Sequence, residues 1–256
     1  MRVPLPGAFL KAPLAHRGYH DAAAHRPENS LSAFRAAVDA GYGIELDVQK
    51  SADHQAMVFH DDDLVRMVGR PELVVSLSAA ELGRLRLRDS DDYIPTLEEL
   101  LAMVAGRVPV LIELKERLDS MTPTDGRLEK AVARVLDGYQ GPVAVMSFNP
   151  HIVAELARVA PKVARGLTTE AYDPAENPFL SPEVCAHLRE IPDYDRTHSS
   201  FISHQAADLG RPRVSELKAQ GADILCWTIR SPEAEAKARQ IAVNVTFEGY
   251  AAAIPA

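Results

Sequence analysis

The sequence predicts an α/β chain folded as a single closed (β/α)8 TIM barrel, with a β-hairpin after the second strand and a small helical insertion. Three observations predict it. Apolar strand candidates and amphipathic helix candidates alternate nearly throughout, the pattern of a parallel sheet with crossover helices. One strand candidate returns too soon to be a parallel neighbour, and setting it aside leaves eight, the number that closes such a barrel. The length of 256 residues suits a barrel used as one domain, and no Gly/Ser/Pro-rich linker divides it. Residues 1–256 are therefore expected to form one domain, with the insertion at about 61–107.

Taken in order, "PLAHR" (13–17) is the first strand candidate. The stretch "SLSAFRAAVDAG" places Leu31, Phe34, Ala37 and Val38 on one helical stripe, opened by Asn29 or Ser30 as cap and closed by Gly41. "YGIELDVQ" and "AMVFH" (56–60) follow as strands, separated by about half a dozen residues. A parallel pair needs a crossover of roughly a dozen residues or more, so these two must form a hairpin. The remaining strands are expected at 108–114, 142–148, 163–167, 200–204, 223–229 and 242–247. Helical patterns fill the gaps: "AAELGRLRL", "TLEELLAMVA", "RLEKAVARVLDGY", "PHIVAELARVA", "SPEVCAHLREI", "RVSELKAQG" and "SPEAEAKARQI".

With 46% hydrophobic and 25% charged residues, the chain can bury a full core without disulfides. A net charge of -8 argues against nucleic acid and against anionic membrane surfaces, which need clustered Lys and Arg. Any phosphate-bearing ligand must then be met by a local positive cluster. Cys185 and Cys226 lack metal or redox spacing and read as free structural thiols. The first residues lack an apolar run of signal-peptide length, and no run of 18 apolar residues occurs, so the expectation is a cytoplasmic protein without stable membrane insertion. Walker, G-x-S-x-G and strand-linked G-x-G-x-x-G motifs are absent, which removes support for nucleotide-driven, serine-hydrolase and dinucleotide chemistry.

A turn at Asp53-His54 would pair residues whose numbers sum to 107, setting Asp47 opposite His60, with Glu45 on the same face. His54 is unusual there, because Gly accepts a positive φ more readily. Strands ending "IELDV" and "LIELK" carry Glu45, Asp47 and Glu113 to the catalytic mouth, where a packed barrel tolerates charge. Crowded carboxylates repel, and one oxygen-loving divalent cation, Mg²⁺ or Ca²⁺, is the natural remedy; the plainer alternative is separate ion pairs with Arg17 and Lys115. His16 at the end of the first strand and His60 from the hairpin could serve as general acid and base on a phosphate, with Arg17 and Lys115 supplying charge to its oxygens. Trp227 at a strand end reads equally as core or as a stacking wall. Glu28 and Asn29 read as residues serving the helix N-terminus, and a helix start beside the barrel mouth could also help bind phosphate. His20, His25, His54, His151, His187 and His198 have no partner pattern and read as solvated or turn residues, and "DSDDY" as a loop.

In order, "AHRGYH…RPENSLSAFRAAVDAGYGIELDVQKSADHQAMVFHDDDLVRM", "IPTLEELL", "LIELK", "SF" and "WTI" closely resemble the glycerophosphodiester phosphodiesterase family over residues 14 to about 249. The resemblance implies a TIM barrel with an insertion between the "FHDD" and "IELK" strands. It implies an acid/base pair at His16 and His60, a divalent cation on Glu45, Asp47 and Glu113, phosphate contacts from Arg17 and Lys115, and a pocket wall at Trp227. The chain departs from the family pattern at the Asp53-His54 turn, where Asp-Gly is common, and at Glu248, where an Asp often stands. Those departures are expected to affect turn geometry and one pocket edge, and to leave the acid/base and metal sets untouched. The activity so implied is hydrolysis of a small-molecule glycerophosphodiester to sn-glycerol 3-phosphate and an alcohol. The rivals are a lysophospholipase D acting on single-chain lysolipids and a barrel that binds phosphodiesters without turnover.

Overall fold

The computed structural model describes residues 1–115 and 121–255. Its strands are β1 (Leu14–Ala15), β2 (Gly43–Lys50), β3 (Ala56–Val58), β4 (Val110–Leu114), β5 (Val143–Ser147), β6 (Ala164–Thr169), β7 (Phe201–Gln205), β8 (Asp223–Ile229) and β9 (Asn244–Phe247). β2, β4, β5, β6, β7, β8 and β9 pair in sequence, all parallel, and β1 joins both β9 and β2 to close the ring. β3 lies antiparallel on β2 as the hairpin return. The helices are α1 (Leu31–Asp39), α2 (Val65–Val68), α3 (Ala79–Leu82), α4 (Leu97–Val104), α5 (Arg127–Leu136), α6 (Pro150–Val159), α7 (Pro182–Arg189), α8 (Pro212–Ala219) and α9 (Pro232–Ala238). No described helix is long and apolar enough to cross a membrane.

Period-2 alternation divides each strand between two cores. On β2 and β4, Ile44, Leu46, Val48, Val110 and Ile112 join an outer core with Phe34 and Ala37 of α1, Leu100 of α4 and Val132 of α5. The barrel interior is a separate cluster of Leu14, Leu111, Ala144, Met146, Ala164, Phe201 and Leu225, into which the N-terminal segment inserts Leu5 and Phe9. Both cysteines are buried and free. Ser30, not Asn29, caps α1, its hydroxyl accepting from the Ala33 N–H at 3.1 Å.

Two local expectations are corrected. The helix expected over 79–87 stops at Leu82, because Leu82 and Leu87 are drawn into a third cluster with Met57, Phe59, Leu64, Val74 and Ile94 that covers the hairpin. α4, placed by sequence within the insertion, packs in the outer barrel core instead.

The hairpin register also differs. β2 and β3 pair Val48 with Val58, Gln49 with Met57 and Lys50 with Ala56, numbers that sum to 106 rather than 107. The loop holds one more residue than a two-residue turn: the His54 N–H donates to the Ser51 carbonyl, the Ser51 N–H donates to the Gln55 carbonyl, and His54 takes φ +61°. This is a three-residue loop closed by a left-handed residue. Asp47 is therefore bonded to Phe59, whose N–H donates to the Asp47 carbonyl at 3.1 Å, and His60 lies beyond the ladder.

Candidate active site

The C-terminal end of β1 sets the first group. Arg17 (φ +54°) and Gly18 (φ +82°) take successive left-handed conformations, which turn the chain sharply after His16. A Cβ on Gly18 would stand 2.9 Å from both Ala33 and Phe34 of α1, so glycine is required by contact as well as by φ. The turn aims the Arg17 N–H at Glu45 Oε2, 3.1 Å away.

Asp47 and Glu113 are register partners on adjacent strands, and Glu45 stands two residues before Asp47 on the same face. One carboxylate oxygen from each of the three lies within 4.8 Å of the others, and all three side chains are buried. Burial, reinforced by the Asp47 and Glu113 charges, pushes the Glu45 carboxyl well above the ordinary carboxylate range. Burial acts on Asp47 in the same direction but is outweighed by His60, Lys115 and Arg17, which hold it at about 2. Three hard oxygen donors crowded until one resists ionising are a set that can hold a divalent metal ion.

The positive groups surround this triad. Lys115 Nζ is 2.9 Å from Glu113 and 3.9 Å from Asp47, and 3.3 Å from His60 Nε2. Arg17 Nη1 donates to Glu28 at 2.8 Å, and its Nε lies 3.4 Å from Asp47, buried without a hydrogen-bond acceptor among the described residues. Ion pairing and a shared cluster thus coexist, so the plainer ion-pair reading and the cation reading were not exclusive. His16, Arg17, Glu45, Asp47, His60, Glu113, Lys115 and Trp227 all line one cavity of about 190 Å³, together with Met146, Phe148 and Thr246. The eight residues to which the sequence assigned a site role are brought together there, whereas Glu28 and Asn29 are not among its lining. Trp227 resolves as wall: its ring meets Phe148 edge-on at 5.5 Å, and its Nε1–H donates to the Ser203 carbonyl at 3.0 Å.

His60 reaches this cavity despite the altered register, because the chain leaves the ladder after Val58 and the Gln49 amide donates to the His60 carbonyl at 3.0 Å. Its Nδ1 bonds Asp61 at 2.8 Å. The expectation that Glu248 stays clear of the acid/base set is overturned. Glu248 hydrogen-bonds His16 Nδ1, is paired with Arg230 Nη2 at 2.7 Å, and stands 3.8 Å from His20, which sequence had left as a solvated residue. Those contacts, His16 foremost, hold the Glu248 carboxyl far below its usual range. Asn29, read as a cap, donates through Nδ2 to Asp47 at 3.0 Å from a left-handed backbone at φ +54°.

A family model described as the glycerophosphoryl diester phosphodiesterase family matches residues 16–247. The Bacillus subtilis (strain 168) protein YhdW is 26% identical over 246 residues, 93% of each chain. Glycerophosphodiester phosphodiesterase 1 of Rattus norvegicus is 30% identical, covering 85% of this chain and 71% of that protein. Among solved structures, an Oleispira antarctica phosphodiesterase in complex with the product sn-glycerol-3-phosphate superposes with a TM-score of 0.76 at 23% identity, over 94% of both chains. With the matched segment running from His16 to Phe247, from the residue that follows β1 through the end of β9, the chain belongs to the glycerophosphoryl diester phosphodiesterase family and is a phosphoric diester hydrolase.

Proposed function

We propose that the protein hydrolyses glycerophosphodiesters such as glycerophosphocholine or glycerophosphoethanolamine to sn-glycerol 3-phosphate and the alcohol, using His16 and His60 as acid and base. The observation that carries this reading is the pairing of two imidazoles with one buried carboxylate triad in a single small cavity. Each imidazole bonds a carboxylate through Nδ1, Glu248 for His16 and Asp61 for His60. A carboxylate accepts only, so the proton sits on Nδ1 in both neutral rings and each offers Nε2 as its working nitrogen. His16 Nε2 lies 4.0 Å from Glu45, and His60 Nε2 lies 3.3 Å from Lys115, the lysine paired with Glu113. One Nε2 takes a proton from the attacking oxygen, and the other returns one to the leaving alcohol.

Glu45, Asp47 and Glu113 would hold one Mg²⁺ or Ca²⁺, which supplies positive charge beside the phosphoryl oxygens. Arg17, with its Nε–H free of acceptors among the described residues, and Lys115 offer donors to the same oxygens. Phe148 and Trp227 wall the apolar side of the cavity. The product held by the Oleispira antarctica enzyme is consistent with this substrate class.

His16→Ala and His60→Ala should each lower kcat/KM on glycerophosphocholine by about 10²-fold or more, the scale of lost general acid/base catalysis. Near-normal turnover in either variant rejects its assignment. Faster turnover of a lysolipid than of the deacylated diester by the parent protein would move the substrate to single-chain lipids.

A further inference from the structure

Arg66, on α2 of the insertion, has no part in the reading above, yet it contacts the carboxylate partners of two residues that line the cavity. Its Nη1 and Nη2 donate to the two oxygens of Glu28 at 2.9 and 2.7 Å. Its Nε and Nη2 donate to the two oxygens of Asp61 at 2.7 and 2.9 Å. Glu28 in turn accepts from Arg17 at 2.8 Å, and Asp61 holds His60 Nδ1 at 2.8 Å. A single guanidinium therefore joins, through two carboxylates, the side chain that faces phosphate and one that handles a proton.

The strut is firmly seated. Buried Leu64 anchors the preceding turn in the cluster that covers the hairpin, and Gly69 (φ +81°) ends α2. A guanidinium presents five N–H groups in a fixed fork; here four go to the two carboxylates and Nη1 also donates to Met67 Sδ at 3.2 Å, whereas an ammonium is a point charge and cannot span both carboxylates. We infer that Arg66 is a positioning residue that fixes Arg17 through Glu28 and His60 through Asp61, so that the insertion sets the geometry of the barrel's site. This inference rests on the roles proposed above for Arg17 and His60.

The test is steady-state hydrolysis of glycerophosphocholine by Arg66→Ala, Arg66→Lys, Glu28→Gln and Asp61→Asn. Arg66→Ala should lose on the order of 10- to 100-fold in kcat/KM, with KM raised and kcat lowered together. Glu28→Gln should act mainly on KM and Asp61→Asn mainly on kcat. The Arg66 side chain is 46% exposed, so guanidinium ion added to Arg66→Ala can enter the gap and should restore most of the loss, whereas Arg66→Lys should not recover it. Arg70→Ala, which removes another exposed insertion arginine, one whose ion pair is with Glu72, should leave the rate unchanged. An Arg66→Ala enzyme within twofold of the parent overturns the inference, as does full activity of Arg66→Lys or a loss that guanidinium leaves untouched. Arg17→Ala and His60→Ala measured alongside separate the two levels: if they keep parent rates the functional reading falls, and if only Arg66→Ala does, this inference alone falls.

Discussion

Glu45 and Asp47 stand two residues apart on one strand face, yet burial and their neighbours drive them in opposite directions, one carboxyl far up and the other down to about 2. Without a bound cation the triad thus keeps a proton on Glu45 to higher pH than an ordinary carboxylate would. A cation favours the ionised form, so binding must expel that proton, and affinity should rise with pH between the ordinary carboxylate value of 4.5 and the raised one. Calorimetric titration with Mg²⁺ or Ca²⁺ in two buffers of different ionisation enthalpy should show proton release on binding; equal heats in both buffers would contradict it. The triad was legible because strand patterning alone carries Glu45, Asp47 and Glu113 to strand ends. The role of Glu248 was not, because His16 lies 232 residues away and only barrel closure makes them neighbours. Asn29 was misread for a different reason: a polar residue just before a helix looks like a cap whether or not its side chain turns toward Asp47.

At the level of elements, the order of strands and helices followed from periodicity, and the hairpin followed from connection length. Its register did not, because a two-residue and a three-residue loop carry nearly the same sequence signal, and the difference lies in whether His54 takes a left-handed φ. His60 reached the cavity anyway because it sits past the ladder, where the loop rather than the pairing directs it. Close strand packing likewise escapes pattern reading. A Cβ at Gly166 on β6 would stand 2.4 Å from the ring of Phe201, which fills the barrel interior from β7. Gly166→Ala should therefore destabilise the fold by about 1–3 kcal/mol, the scale of overpacking a rigid core. Urea denaturation checks this, and an unchanged midpoint would mean that Phe201 has room to move.

Across the whole molecule, parallel closure puts the C-terminal ends of all eight barrel strands at one mouth, which is why residues from His16 to Thr246 meet in a cavity of about 190 Å³. The opposite end is filled from the N-terminus by Leu5 and Phe9, an arrangement that no local pattern in the first ten residues announces. The family match from 16 to 247 takes in every residue that lines this cavity, so the reaction class rests on nearly the whole barrel rather than on one motif. The activity proposed for this mouth is metal-dependent hydrolysis of glycerophosphodiesters. Its most direct test is release of sn-glycerol 3-phosphate from glycerophosphocholine by purified, chelator-stripped protein, before and after Mg²⁺ or Ca²⁺ is added back. The account predicts negligible release from the stripped protein and restored release with cation. Release undiminished by stripping, or none with either cation across several headgroups, would contradict it.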